Sequence, residues 1–196
     1  MNTILKEQEF STYFHYNVLL KHGYKITKIY KKLCDQPQCV CLVKDTNDKY
    51  YVAKSHLELE PEIYNSWERM KEIYKNLENL GVGPKIYEFI EPENICIMEC
   101  GYKTLEEVMC SSQKDIENMD LINDVKMRIN ILHTNYIHGD LHCGNIMVRK
   151  DRTSFFIDLD TVKNVDVDNV SCILNLTAQC STIDKYMKFE KETFMY

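Results

Sequence analysis

From Tyr24 to Ala53 the apolar residues fall on a period of two. Tyr24, Ile26, Ile29 and Tyr30 form one run, Val40-Cys41-Leu42-Val43 a second, and Tyr50-Tyr51-Val52-Ala53 a third that ends at Lys54. With Asp45-Thr46-Asn47-Asp48 as a tight turn, this pattern predicts three antiparallel strands. The period then changes. Glu60-Pro61 is suited to open a helix, and Tyr64, Trp67, Met70, Ile73 or Tyr74, Leu77 and Leu80 form a stripe near 3.6 residues per turn that stops at Gly81-Val82-Gly83-Pro84. Residues 85–90 and 94–101 read as two more strands. Thr104, followed by acids, caps a short helix. Ile116, Met119, Ile122, Val125, Ile129 and Leu132 predict a long helix that ends at His133-Thr134-Asn135. Residues 146–148 and 154–157 make a short hairpin. Before all of these, Val18-Leu19-Leu20 fits a short helix; after them, residues 162–167, 170–176 and 183–189 are further candidate elements.

The predicted architecture is α+β: one domain over 1–196, with a five-stranded antiparallel lobe in residues 1–99 and a reduced, mainly helical lobe in 100–196. A chain of 196 residues suffices for one catalytic unit built as two small lobes on a shared cleft. A net charge of −6, with basic and acidic residues intermixed, argues against a nucleic-acid partner. No apolar run reaches the length of a membrane span, and residues 1–9 lack a basic start followed by an apolar core. The expectation is a protein without a membrane, located in the cytoplasm. The nine cysteines are odd in number and scattered, with no Cys-x-x-Cys pair. They read as reduced thiols serving as small apolar residues, and alkylation of Cys143 is expected to inhibit because of where it lies.

That place is the segment His138-Gly139-Asp140-Leu141-His142-Cys143-Gly144-Asn145, followed across the hairpin by Asp158-Leu159-Asp160. Asp140, at the end of an apolar run, can accept the proton of an attacking hydroxyl, a role that contributes roughly 10²–10⁴ in rate. Asn145 can turn an amide oxygen toward a metal ion. Asp158 adds a hard carboxylate, and Mg²⁺ is commonly held by one or two carboxylates together with substrate phosphates. The hairpin brings Asn145 and Asp158 near each other.

This segment resembles the catalytic loop and metal motif of the protein-kinase-like superfamily, His-x-Asp-Leu-x-x-x-x-Asn followed by a strand that ends in Asp. The resemblance implies ATP and Mg²⁺ or Mn²⁺ as cofactors, with Asp140 as base and Asn145 and Asp158 on the metal. Lys54, after Val52-Ala53, resembles the lysine that holds the α- and β-phosphates. Glu68, with Glu72 as the alternative, takes the place of the helix glutamate that pairs with it. Residues 97–101 resemble the hinge, with backbone groups of Glu99 to Gly101 at the adenine edge and Met98 beside the base or in the core.

The chain also departs from the pattern. Residues 33–39 contain no glycine where kinases have a glycine-rich phosphate loop. Gly139 stands where many regulated kinases have an arginine, Asp158-Leu159-Asp160 replaces Asp-Phe-Gly, and no Ala-Pro-Glu-like anchor follows. His142 and Gly144 make the loop equally similar to aminoglycoside and choline phosphotransferases. The short second lobe favours a minimal serine/threonine protein kinase of the viral or bacterial-effector type, working on a protein substrate in a host cytoplasm. The alternatives are a small-molecule kinase and a pseudokinase that serves as a protein-binding module.

Cys39→Ser and Cys41→Ser are expected to leave phosphate transfer nearly intact, whereas Lys54→Ala and Asp158→Ala each abolish it. Transfer from labelled ATP checks this, and equal losses at the cysteines would overturn their reading as packing residues.

Overall fold

The alternating pattern of the first half produces a sheet with both faces covered. In a computed structural model that describes residues 15–32, 39–56, 65–111 and 115–165, a short helix α1 (Tyr16–Lys21) precedes β1 (Lys25–Lys32), β2 (Cys39–Lys44) and β3 (Tyr50–Ser55). Helix α2 (Trp67–Asn79) leads to β4 (Ile86–Ile90) and β5 (Ile95–Glu99). The five strands are antiparallel, in the order β1-β2-β3-β5-β4. Successive side chains on a strand point to opposite faces, and the packing divides accordingly. Tyr51, Ala53, Ile95 and Ile97 join Leu19 of α1 and Val43 in one apolar cluster. Cys96 and Met98 join α2 and the helical half in the other.

Helix α2 connects the two halves of the protein. Trp67, Met70, Ile73, Tyr74 and Leu77 are buried as the stripe predicts, while Leu80 is exposed. Its start differs from the expectation at Glu60-Pro61. Ser66 is the N-cap, its hydroxyl accepting a hydrogen bond from the Arg69 N–H at 3.3 Å; Glu60, Pro61 and Tyr64 lie outside the described residues. At the other end the Leu77 carbonyl accepts from the N–H groups of Val82 (3.0 Å) and Gly83 (2.8 Å). A Cβ at Gly83 would stand 2.8 Å from the Leu77 Cβ, so only glycine lets the chain fold back this tightly.

The second half begins with β6 (Lys103–Thr104) and α3 (Leu105–Ser111). A reciprocal cap starts α3: the Glu107 N–H donates to Thr104 Oγ1 at 3.1 Å, and Glu107 Oε2 accepts from the Thr104 N–H at 2.8 Å. Helix α4 (Asp115–Asn135) follows, then β7 (Tyr136–Ile137), β8 (Ile146–Val148), β9 (Ser154–Phe156) and β10 (Lys163–Asn164). Strands β6, β8 and β9 form a small sheet, and β7 pairs with β10. The buried stripe of α4 is Leu121, Val125, Ile129 and Leu132, whereas Met119, expected inside, is exposed. Asp124 fastens this helix to β9, its Oδ2 accepting from the Ser154 N–H (2.7 Å), the Ser154 hydroxyl (2.6 Å) and Arg128 Nε (2.9 Å). Burial works against the charged carboxyl, but Arg128 and Ser154 outweigh it and hold its pKa below the usual value. Among the described residues, no helix is long and apolar enough to cross a membrane. The expected elements at 170–176 and 183–189, and most of the glycine-free segment, lie outside the described residues.

After β7 comes His138, fully buried. Its Nε2–H donates to the Ile157 carbonyl at 2.8 Å, and its Nδ1 accepts from the Asp140 N–H at 3.4 Å, which ties the loop after β7 to the end of β9. Burial lowers its pKa below 6.5, outweighing the Ile157 carbonyl and the nearby Asp158 and Asp140 carboxylates.

Two outcomes are expected. Asp124→Ala leaves buried donors of Ser154 without their acceptor and destabilises the fold by about 2 kcal/mol, read as a lower denaturant midpoint at unchanged slope. His138 gives a pH signature. The unfolded chain protonates this ring near pH 6.5 while the folded chain resists, so its contribution is full above that value and falls as the pH drops below it. Unfolding free energies measured against pH should show this slope in the native chain and lack it in His138→Gln.

Candidate active site

Lys54 enters the cleft from the end of β3. Its residue is 7% exposed, and its Nζ donates to Asp158 Oδ1 and Asp160 Oδ2, both at 2.7 Å. Burial disfavours the ammonium, but the two carboxylates outweigh it and raise its pKa above the usual lysine value. Asp158 follows β9 in the left-handed region, with φ 59° and ψ 55°, and opens the 3₁₀ turn Leu159–Thr161. Aspartate tolerates this conformation better than most residues. Such strain, of order 1–3 kcal/mol, tends to be kept where a side chain must point in one particular direction.

The loop after β7 supplies the other groups. Asn145, 8% exposed, donates its Nδ2–H to the Asp140 carbonyl (2.9 Å) and to Asp140 Oδ2 (3.4 Å). That assignment of the amide follows from its partners and leaves Oδ1 as the atom free to serve the cleft. The Asp140 side chain is 63% exposed, with His142 Nε2 4.0 Å away. His142 Nδ1 accepts from the Gly144 N–H at 3.1 Å, so the neutral ring carries its proton on the Nε2 that faces Asp140. Gly139 has φ +82°, and a Cβ there would lie 2.7 Å from the Thr161 carbonyl oxygen. No arginine fits at this position, because the loop packs backbone-to-backbone against the turn that carries Asp158.

Lys54, Met98, Glu99, Gly101, Asn145 and Asp158 all line one cavity of about 510 Å³ between the sheet and the helical half. A cavity of about 550 Å³ bounded by Asn76, Asn135, Tyr136 and Val165 contains none of these groups; the chemistry belongs to the first. Met98 is both core and cleft wall, 5% exposed. The Glu99 carboxylate is held by Arg149 through Nε (2.6 Å) and Nη2 (2.9 Å), and its N–H donates to the Lys85 carbonyl at 2.8 Å. Arg149 also lies over the Phe155 ring at 4.4 Å.

Glu68 does not meet Lys54. It pairs with Lys71 at 2.8 Å with its side chain 80% exposed, and the alternative, Glu72, pairs with Arg69 at 2.6 Å. The reason is helical phase: the buried face of α2 is set by Met70, Ile73, Tyr74 and Leu77, and Tyr74 takes the side that lines the cleft. Asp160 occupies the place expected for a glutamate. Two further residues absent from the sequence reading support it. His56 Nδ1 lies 3.6 Å from Asp160 Oδ1 while its Nε2–H donates to the Asn65 carbonyl at 2.7 Å. The Asn65 amide in turn donates to the carbonyls of Asp160 (3.0 Å) and Val162 (2.8 Å). The available signal was the second acid of Asp158-Leu159-Asp160, which adjoins an apolar strand where an unpaired carboxylate would be costly.

Asn145 and Asp158 fit a divalent cation such as Mg²⁺. Both offer hard oxygens to one cavity beside a lysine, and among the described residues no group of three or more His, Cys, Asp or Glu side chains gathers to hold a metal by itself. Such a pair suits a cation that shares phosphate oxygens.

The fold is kinase-like. It superposes on the structure of the Cydia pomonella granulovirus kinase PK-1 with a TM-score of 0.56 and 20% sequence identity, over 82% of this chain and 58% of that one. The chain therefore spans less than two thirds of the viral kinase's length. No curated protein sequence matches it. Residues 21–190 match the profile of the ABC1 atypical kinase-like domain. With most of its length inside that profile and a lysine, an asparagine and an aspartate converging on one kinase-like cleft, the chain belongs to the ABC1 atypical kinase-like family.

Proposed function

We propose that this kinase-like protein transfers the γ-phosphate of ATP, with Mg²⁺, to a serine or threonine hydroxyl of a protein substrate in the cytoplasm. The observation that carries the reading is the convergence of Lys54, Asn145 and Asp158 on one 510 Å³ cavity, with the Asp140 carbonyl accepting a hydrogen bond from Asn145.

The roles follow from charge and position. Lys54 brings a desolvated positive charge to the triphosphate, where it counts for more than in water. Asn145 and Asp158 would hold the metal, which when bound neutralises charge on the phosphate oxygens. Asp140 accepts the proton of the incoming hydroxyl, and Asn145 Nδ2 holds the loop that presents it. Such transfer rests on positioning and electrostatics, not on a covalent enzyme intermediate. The exposure of Asp140 among the described residues supports an acceptor on a protein surface over one enclosed in a pocket.

A second reading, a pseudokinase that binds a protein partner, is favoured by the absence of glycine from residues 33–39. Without glycine, a loop brings its backbone N–H groups to phosphate less readily.

Incubation with labelled ATP and Mg²⁺ or Mn²⁺, offering the chain itself and a generic protein substrate, separates these readings. Label should appear on protein with the native chain and fall roughly 10²–10⁴-fold in Asp140→Ala. Equal labelling by Asp140→Ala overturns the assignment of the base. Transfer to an aminoglycoside or choline, but to no protein, makes the substrate a small molecule, and no transfer to any acceptor leaves the pseudokinase.

A further inference from the structure

In a kinase-like cleft a phosphate-binding lysine must be held by a carboxylate, or it swings to whichever anion is nearest. The helix that would supply that carboxylate turns its two candidates, Glu68 and Glu72, toward Lys71 and Arg69. Asp160 is the acid in their place. It is 7% exposed and 2.7 Å from Lys54 Nζ, whereas the side chain of Asp158, the other partner, is 42% exposed and faces the cleft.

The turn that holds Asp160 is itself fixed from the opposite side. His56 follows β3 two residues after Lys54, is 6% exposed, and sets one face of its ring against Trp67 with centroids 6.0 Å apart. Its Nε2–H is committed to the Asn65 carbonyl, and Nδ1 stands 3.6 Å from Asp160 Oδ1, too long for a hydrogen bond and an ion-pair distance only for a protonated ring. Asn65, just before α2, bonds backbone on both sides of the turn, since its amide reaches the Asp160 and Val162 carbonyls and its N–H donates to the Asp160 carbonyl at 3.2 Å. Asp160 is therefore held independently of Asp158 and would stay on Lys54 if Asp158 turned to a cation.

We propose that Asp160, held in its turn by Asn65 and packed beside His56, is the positioning carboxylate of Lys54, so that the phosphate-binding lysine is oriented by the turn that also carries Asp158 and not by helix α2. This rests on the phosphotransferase reading. It removes the helix swing as a means of switching the site, because lysine placement and metal-ligand placement are set together by residues 158–160.

The experiment uses the full chain, Asp160→Asn, Asp160→Glu and the double variant Glu68→Gln/Glu72→Gln. Transfer kinetics are read beside mapping of lysine acetylation by mass spectrometry, with exposed Lys85 and Lys150 as internal standards of the folded state. Asp160→Asn should lower kcat about 100-fold, the scale of an ångström-level misplacement, with the acceptor KM little changed, and should raise Lys54 labelling relative to the two standards. Asp160→Glu, which keeps the charge, should recover part of the loss. The double variant should stay within about twofold of native in both readouts, since exposed ion pairs contribute little. Undiminished transfer by Asp160→Asn, or a rise in Lys54 labelling in the double variant instead, overturns the proposal while native transfer keeps the phosphotransferase reading standing. Absence of transfer from the native chain overturns that reading itself.

Discussion

The constraint on which the structure depends is a buried ammonium. Lys54 lies between two covered layers, where an isolated charge is prohibitively expensive, and Asp158 and Asp160 make its burial tolerable. A pair of this kind adds little net stability compared with an apolar replacement, because the desolvation of both partners offsets their attraction. What it supplies is placement. The sheet, α2 and the turn after β9 must meet in one arrangement for the charge to be satisfied, and the cavity between them is what that arrangement leaves open.

The glycine at 139 and the histidine at 138 serve the same requirement from the other side. One allows the loop after β7 to lie against the backbone of Thr161, and the other reaches across to the Ile157 carbonyl. Asp140 and Asn145 thereby stand in fixed relation to Asp158. The candidate base and the candidate metal ligands are parts of a single hydrogen-bonded unit made from two loops, and each loop is shaped by contact with the other.

Much of this was readable from the chain because the signals are local. The strands appeared as a period of two, and the approach of Asn145 to Asp158 across one cavity follows from their places on either side of a hairpin. What was not readable depends on phase and on distance. A shift of one or two residues around a helix decides that Leu121 is buried and Met119 is not, and that Glu68 meets Lys71 rather than Lys54. The start of α2 at Ser66 was hidden by a proline that equally suits a helix. His56 and Asn65 carry no motif at all, and their importance comes from packing against a turn about a hundred residues away in sequence.

The Arg149 clamp on Glu99 gives the molecule a spine. The guanidinium grips the last residue of β5 with two hydrogen bonds while its own chain belongs to the small hairpin, and the Tyr102 N–H donates to the Val148 carbonyl a few residues further on. The crossover between the two halves is thus bound like the back of a book. Relative movement of the two halves is most restricted along that edge, where both bonds of the guanidinium would have to break.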